Sequence, residues 1–331
     1  ASGTFSGKFV NAFGERKVYS IGVLMVSISS FLAAIAHNYG QLLTFRTAGG
    51  LGSSMFSVAA SSVIFKSVSS DLRARAQSIY NGGFLVGAIA GPALGGLLMG
   101  ISLRAPFFVY SIMLLISGSI AYGYLRATHL EPSNGETHEE MTIKDALKLP
   151  AFRIALATSF LFGFAVLGPR LSIIPLFVVE KLNGSNALVG YVYTAGALVQ
   201  GLFLMRAGHL SDSRGRRYVL RIGTAITWTG MAMFLFALHE TIFILAMLVI
   251  GFGTAFISTA PSSIVGDVIK GRSGKVIGFF QMASDAGMIV GPIVSGYLAD
   301  ISSYKTAFAA TLAVYSITVL LAWRLPETRE V

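Results

Sequence analysis

Along this chain apolar residues run in stretches of about 18 to 25, broken by short polar connections, and each stretch can cross a roughly 30 Å hydrocarbon core at about 1.5 Å per helical residue. The pattern predicts ten full spans, at approximately 18–37, 41–65, 76–100, 105–125, 153–179, 187–209, 218–238, 241–266, 276–299 and 304–324. Basic residues crowd alternate connections: Lys8, Arg16 and Lys17; Lys66, Arg73 and Arg75; Arg214, Arg216, Arg217 and Arg221; Lys270, Arg272 and Lys275. The opposite connections hold only Arg104, Lys181 and Lys305, so the basic side is expected to face the cytoplasm.

The longest polar stretch runs from Arg126 to Pro150, with Glu136, Glu139 and Glu140 followed by the amphipathic MTIKDALKLP. It reads as a cytoplasmic linker ending in a helix along the interface, between a partial N-terminal bundle (1–125) and a C-terminal bundle (151–331), the linker being 126–150. The two bundles repeat each other. Gly7, Asn11 and Gly14 of GKFVNAFGERK correspond to Gly208, Asp212 and Gly215 of GHLSDSRGRRY, each 201 positions further on, and Gly50 and Gly52 to Gly251 and Gly253 at the same offset. Gly87, Gly91 and Pro92 then match Gly287, Gly291 and Pro292 at an offset of 200. A register held over this length marks an internal duplication. Because Ala1 maps onto Leu202, about fifty residues, holding the first span and most of the second, are expected ahead of Ala1. Residues 1–13 have neither the basic start nor the apolar region of a signal peptide. The expected fold is therefore all-α and membrane-embedded, two six-helix bundles related by a pseudo-two-fold axis.

Composition agrees: of 331 residues 54% are hydrophobic and 12% charged, with a mean hydropathy of +0.70, where soluble domains carry about a quarter charged residues. The net charge of +10 lies in the connections, with no basic and aromatic alternation, so no nucleic-acid partner is expected. There is no cysteine, and the histidines (His37, His129, His138, His209, His239) have no metal-ligand spacing. The chain holds no G-x-x-x-x-G-K-[ST], H-E-x-x-H or G-x-S-x-G, which speaks against an ATP-driven pump and an intramembrane enzyme. No cofactor is expected.

Three motifs, in order, resemble those of the major facilitator superfamily, and the resemblance covers essentially the whole chain. A loop signature, G-x-x-x-D-x-x-G-R-R, is similar to Gly208, Asp212, Gly215, Arg216 and Arg217; its first-half copy departs from it, with Asn11 for the acid and Glu15, Arg16 and Lys17 after Gly14. Arg46, Gly50 and Gly52 resemble an R-x-x-x-G-x-G signature. Gly87, Gly91, Pro92, Gly95 and Gly96 resemble G-x-x-x-G-P-x-x-G-G, which in this superfamily goes with proton-coupled antiporters and particularly drug exporters. The terminal Leu-Pro-Glu-Thr at 325–328 is also similar to family members. Glycines at four-residue steps let helices approach, and Pro92 and Pro292 permit bends. The resemblance implies that Asp212 caps a span of the other half near Arg73 and Arg75 and latches the cytoplasmic side, a contact of about 0.3–2 kcal/mol.

Ionisable residues inside spans cost about 2.5–3.5 kcal/mol on insertion scales and are functional candidates. Counted from the nearer ends of their spans, Arg170 and Asp285 both fall near the midplane, where they are expected to meet. Asp285 is the candidate proton carrier; Arg170 would tune it or contact an anionic group of the substrate. A static ion pair is the alternative. Arg46 matches the arginine that the family implicates in proton coupling. Gly168, Pro169 and Pro175 suggest a broken helix around Arg170. Tyr80, Asn81, Gln200, Trp228 and Gln281 are candidate cavity contacts. Together these imply a multi-pass plasma-membrane transporter of small molecules, working as a monomer in the bilayer by alternating access and exporting hydrophobic or amphiphilic compounds against protons. A proton symporter or facilitator for a sugar or other small metabolite is the alternative.

Overall fold

The computed structural model describes residues 9, 12–67, 73–127, 141–237, 239–258, 260–261, 264–265 and 274–327, without the side chains at 61, 62, 64–67, 73–82, 84, 85, 88, 89, 125–127, 212, 274, 275, 277 and 278. Among these residues there is no strand. Four helices precede the linker: α1 (Glu15–Ala34), α2 (Tyr39–Ser67), α3 (Arg73–Ile101) and α4 (Ala105–Ala127). A short α5 (Ile143–Lys148) follows it. One long span comes next, made of α6 (Pro150–Phe162), a π turn (Gly163–Leu167), α7 (Gly168–Leu171) and α8 (Ile173–Glu180). Then come α9 (Asn186–Arg214), α10 (Arg216–Met233) running into a 3-10 turn (Phe234–Phe236), α11 (Glu240–Ile257), α12 (Gly274–Ile301) and α13 (Tyr304–Arg324). Helices therefore stand at all ten expected places. Seven of the helical segments are long and apolar enough to cross a membrane: 15–34, 105–124, 150–180, 186–211, 216–236, 240–257 and 304–324.

The surface is that of a protein bathed in lipid. Leu202 (73% exposed), Met205 (85%) and Ile293 (67%) project outward, while Thr224, Thr227 and Thr318 are buried. With tails as apolar as Leu outside, burial of leucine brings no gain, and close backbone approach holds the helices instead.

The contacts divide the chain into two compact units, Ala1–Gly87 with Leu97–Glu136, and Ala88–Gly96 with Thr137–Val331. The piece of α3 in the second unit is fixed by a glycine crossing: a Cβ on Gly190 of α9 would lie 2.6 Å from the Gly96 Cα.

In the first unit α1 packs on α2 through Gly22 and Gly52, where a Cβ on either would lie 2.7 Å from the other's carbonyl oxygen. The helix α4 joins α1 by a reciprocal bond in which the Ser27 and Ser111 hydroxyls each donate to the other residue's carbonyl at 2.9 Å. Phe31 and Phe108 meet edge to face at 5.5 Å. The second unit repeats the first crossing: a Cβ on Gly253 of α11 would lie 3.1 Å from the Gly223 carbonyl of α10. One turn further along, the small partner changes helix. Gly49 faces Ser29 in the first unit, whereas in the second Gly230 faces Ile250, at the same offset of 201.

The long span 150–180 is irregular for a local reason. Pro169 has no N–H to give the carbonyl of Ala165 and its ring crowds that carbonyl, so the ladder widens and the Gly168 N–H reaches back to Gly163. A second interruption falls at Ser172 (φ −122°, ψ −81°), three residues before Pro175. The Ser172 hydroxyl donates to the Gly168 carbonyl at 3.0 Å. The bulged segment is held by α12. A Cβ on Gly168 would lie 2.9 Å from the Gly291 Cα, and Cβ atoms on Gly287 and Gly291 would press on the Phe160 and Phe164 carbonyls. Gly287 and Gly291 thus hold two parallel spans at backbone contact, the role their spacing implies.

Candidate substrate and coupling site

Each unit has a cleft at a corresponding place. In the first, Val26, Ser29, Arg46, Gly49, Gly50 and Ser53, with Phe107 and Tyr110 of α4, line a cleft of about 440 Å³. Arg46 is exposed in it, its guanidinium 5.9 Å from the Phe107 ring centroid. In the second, Met247 and Ile250, which the repeat aligns with Arg46 and Gly49, line a cavity of about 20 Å³ with Met231, Phe234, Phe308 and Thr311. That volume holds about one water. The span 150–180 supplies the remaining wall, Ala165, Val166, Pro169, Arg170 and Ile174.

Arg170 therefore brings a cation to the site where Met247 stands in place of the repeat's arginine. Its guanidinium lies 4.7 Å from the Tyr193 ring centroid of α9. The Tyr193 hydroxyl donates to the Arg170 backbone carbonyl, just before the interruption at Ser172. The side chain is thus anchored at both ends by one tyrosine. Stacking of a desolvated guanidinium on such a face contributes about 2 kcal/mol.

Asp285 does not meet it. The two spans run parallel, with Gly163 level with Ser284 to Met288 and Gly168 level with Gly291, so Arg170 lies roughly 10 Å further along the axis than Asp285. The expectation that they share a depth fails because they were counted from opposite ends of spans of 31 and 28 residues, both longer than the bilayer requires. Asp285 is exposed, about 200° around α12 from Gly287, on the side turned away from the Gly287 and Gly291 contact with the span 150–180. Neither residue has an ion pair among the described residues. Gln281 is exposed one turn earlier on the same helix, and Gln200 is half-buried on α9. Trp228 donates to the Ser316 hydroxyl at 2.9 Å, tying α10 to α13. The side chains of Tyr80 and Asn81 lie outside the described residues.

At the basic end, Gly14 and Gly215 both take a positive φ, 81° and 98°, at matching places of the repeat and immediately before α1 and α10. That conformation favours glycine and explains its place in both loop copies. After Gly215 the exposed N–H groups of α10 are met by a carboxylate from the far end of the chain. Arg216 N–H donates to Glu327 Oε1 at 2.9 Å and Arg217 N–H to Oε2 at 3.3 Å. An anion at a helix N-terminus meets both the free donors and the positive end of the dipole. The arginines reach across in return: Arg221 donates to the Trp323 carbonyl at 2.8 Å and lies 4.6 Å over its ring, Arg217 bonds the same carbonyl, and Arg216 bonds the Ser211 hydroxyl at 3.0 Å. In the first unit Arg16 stacks on Tyr122 at 4.1 Å. Arg217 and Arg221 thus clasp the last span of the second unit and Arg16 that of the first, while Arg216 bonds back to α9. Sequence reasoning gave Glu327 no role, although it lies in the Leu-Pro-Glu-Thr at 325–328 that resembles family members. The latch assigned to Asp212 with Arg73 and Arg75, and the positions Gly7 and Asn11, lie outside the described residues or their side chains. Gly208 lies within α9, and Gly87, Gly91, Pro92 and Gly95 lie along α3; of the motif's glycines Gly96 makes the expected close approach, while a Cβ on Gly87, Gly91 or Gly95 would meet no described atom within 4 Å.

The helical order, the paired glycine crossings and the loop signature meet in one family. The chain belongs to the Major Facilitator Superfamily, whose family model matches residues 1–173 and 170–331. It is 25% identical over 324 residues to multidrug resistance protein 1 of Bacillus subtilis, covering 97% of this chain and 83% of that one. With the quinolone resistance protein NorA of Staphylococcus aureus it shares 21% over 307 residues, 90% of this chain and 76% of the relative. Its fold is that of the inward-facing, occupied bacterial homolog of the human lysosomal transporter Spinster, with a TM-score of 0.79 at 16% identity, over 98% of this chain and 84% of the other. It is a multi-pass integral protein of the plasma membrane that transports small molecules, not an enzyme.

Proposed function

We propose that the protein exports hydrophobic or amphiphilic small molecules in exchange for protons, by alternating access, and that Asp285 carries the coupling proton. The observation that carries this reading is an exposed acid in the interior of the 28-residue helix α12, with no ion-pair partner among the described residues. An ionisable residue inside a helix of a membrane protein is a functional candidate by default. Relatives named for multidrug and quinolone resistance support the substrate class. So does the second-unit cavity, whose lining is apolar and aromatic except for Arg170 and Thr311. The proton is the coupling ion, no cofactor is required, and a monomer in the bilayer is the working unit. Gly287 and Gly291 would let α12 and the bulged span move as one piece, because their backbones are in contact.

The test is Asp285→Asn in proteoliposomes. Loss of substrate efflux driven by a proton gradient, with substrate binding retained and its pH dependence flattened, is the expected result. Efflux at the original rate with an unchanged pH profile removes the proton-carrier role.

A further inference from the structure

We propose that Arg170 and Tyr193 form a subsite for an anionic group, so that the substrates bound best are amphiphiles bearing a carboxylate. This deepens the export reading and rests on it.

Arg170 lies ten residues inside the outer end of a 31-residue span, so its charge is held well within the membrane. A guanidinium has five N–H donors in one plane. The guanidinium carbon lies 4.7 Å from the Tyr193 ring centroid, a contact that consumes none of those N–H donors. Among the described residues no side-chain or backbone acceptor meets them, and no carboxylate pairs with the guanidinium. The residue as a whole is not fully enclosed. The remaining lining is apolar except for Thr311. Because the cavity beside Arg170 has room for about one water, the group it suits is a small planar anion that pairs with the guanidinium through two parallel bonds, the body of the molecule lying outside that cavity.

Three features show that the arginine is placed and held there. The Tyr193 hydroxyl grips the Arg170 carbonyl, and the π turn at Gly163–Leu167 with the break at Ser172 fixes the local direction of the chain. The third is the repeat. The first unit puts a cation in its cleft from α2 with Arg46, and the second has Met247 at that position but restores the charge from a different helix.

The experiment measures equilibrium binding to the purified protein in nanodiscs of zwitterionic lipid, using a fluorescent naphthyl carboxylate of medium chain length and its methyl ester. The expected result is a preference for the carboxylate of about tenfold or more in the native protein, falling to about one in Arg170→Gln and kept in part by Arg170→Lys, which holds a point charge without the fork. Equal binding of acid and ester by the native protein overturns the proposal without any variant, and so does a preference that survives in Arg170→Gln. The thermal midpoint of each variant shows whether it is folded. Because the readout is binding, it stands apart from coupling: proton exchange can fail while the carboxylate preference holds, and the reverse.

Discussion

Glu327 illustrates what a single side chain contributes when it arrives from far along the chain. Its carboxylate satisfies two N–H groups at the start of α10, across 110 positions of sequence, and sits against Gly215, where a Cβ would collide with it. Glu327→Ala is expected to destabilise the second unit by about 1 kcal/mol, read as a lower thermal midpoint, with Glu327→Asp intermediate. The Ser29 and Gly49 contact gives a sharper case. Gly49→Ile, which copies Ile250 into the first unit, is expected to cost about 1–3 kcal/mol by overpacking against Ser29, and Ser29→Gly in the same chain to recover much of it. If the double variant is no more stable than Gly49→Ile alone, the two crossings are not equivalent. Gly287 and Gly291 show the close approach that a four-residue step suggests between helices, whereas Gly87, Gly91 and Gly95 at the same spacing have no described atom within 4 Å of where a Cβ would stand. The capping role of Glu327 was not legible, because capping partners this distant leave no periodic trace.

Helices differ in how much of their shape their own residues dictate. The bulged span is the clearest example, since Gly168, Pro169 and Pro175 announce an interruption, while the π turn that results depends on the Gly163 carbonyl being free to take the Gly168 N–H. Replacing Pro169 by Ala restores the missing donor, allows an ordinary α turn and rotates Arg170 by about 100° relative to α6. The expected outcome is equal or greater thermal stability with transport reduced roughly tenfold, as misplaced site groups commonly cause. The short helix α5 offers a test by pH. Asp145, after its bonds to Lys148 and Thr142, holds its proton less readily than an ordinary aspartate. A lowered folded value means the contribution is present above the unfolded pKa and is lost as pH falls through the folded one. Amides of 143–148 are therefore expected to exchange faster, relative to their intrinsic rates, once the pH drops below the normal carboxylate range. The depth of Arg170 against Asp285 was misjudged from sequence because spans longer than the bilayer have no unique midpoint. Only the glycine contacts set their relative height.

Taken as a membrane protein, the chain shows two units built on one plan and then made unequal. Gly22 with Gly52 and Gly223 with Gly253 are the shared plan, each pair separated from its counterpart by the same offset of 201 that the sequence carries. The inequalities are chemical: Arg46 against Met247, and a cation supplied in the second unit by Arg170. Asp285 lies on α12 away from the glycine contact that binds its helix to the span 150–180, so its charge can change without breaking that contact. The acid and the packing seam thus occupy different faces of one helix, as the proposed coupling requires. The decisive measurement is proton flux in liposomes containing the purified protein, under an imposed pH gradient, on addition of lipophilic amphiphiles or of sugars. Proton movement that rises with the amphiphiles and not with the sugars is the expected result. A flux that answers to sugars alone, or amphiphile efflux with no proton movement, would contradict the account.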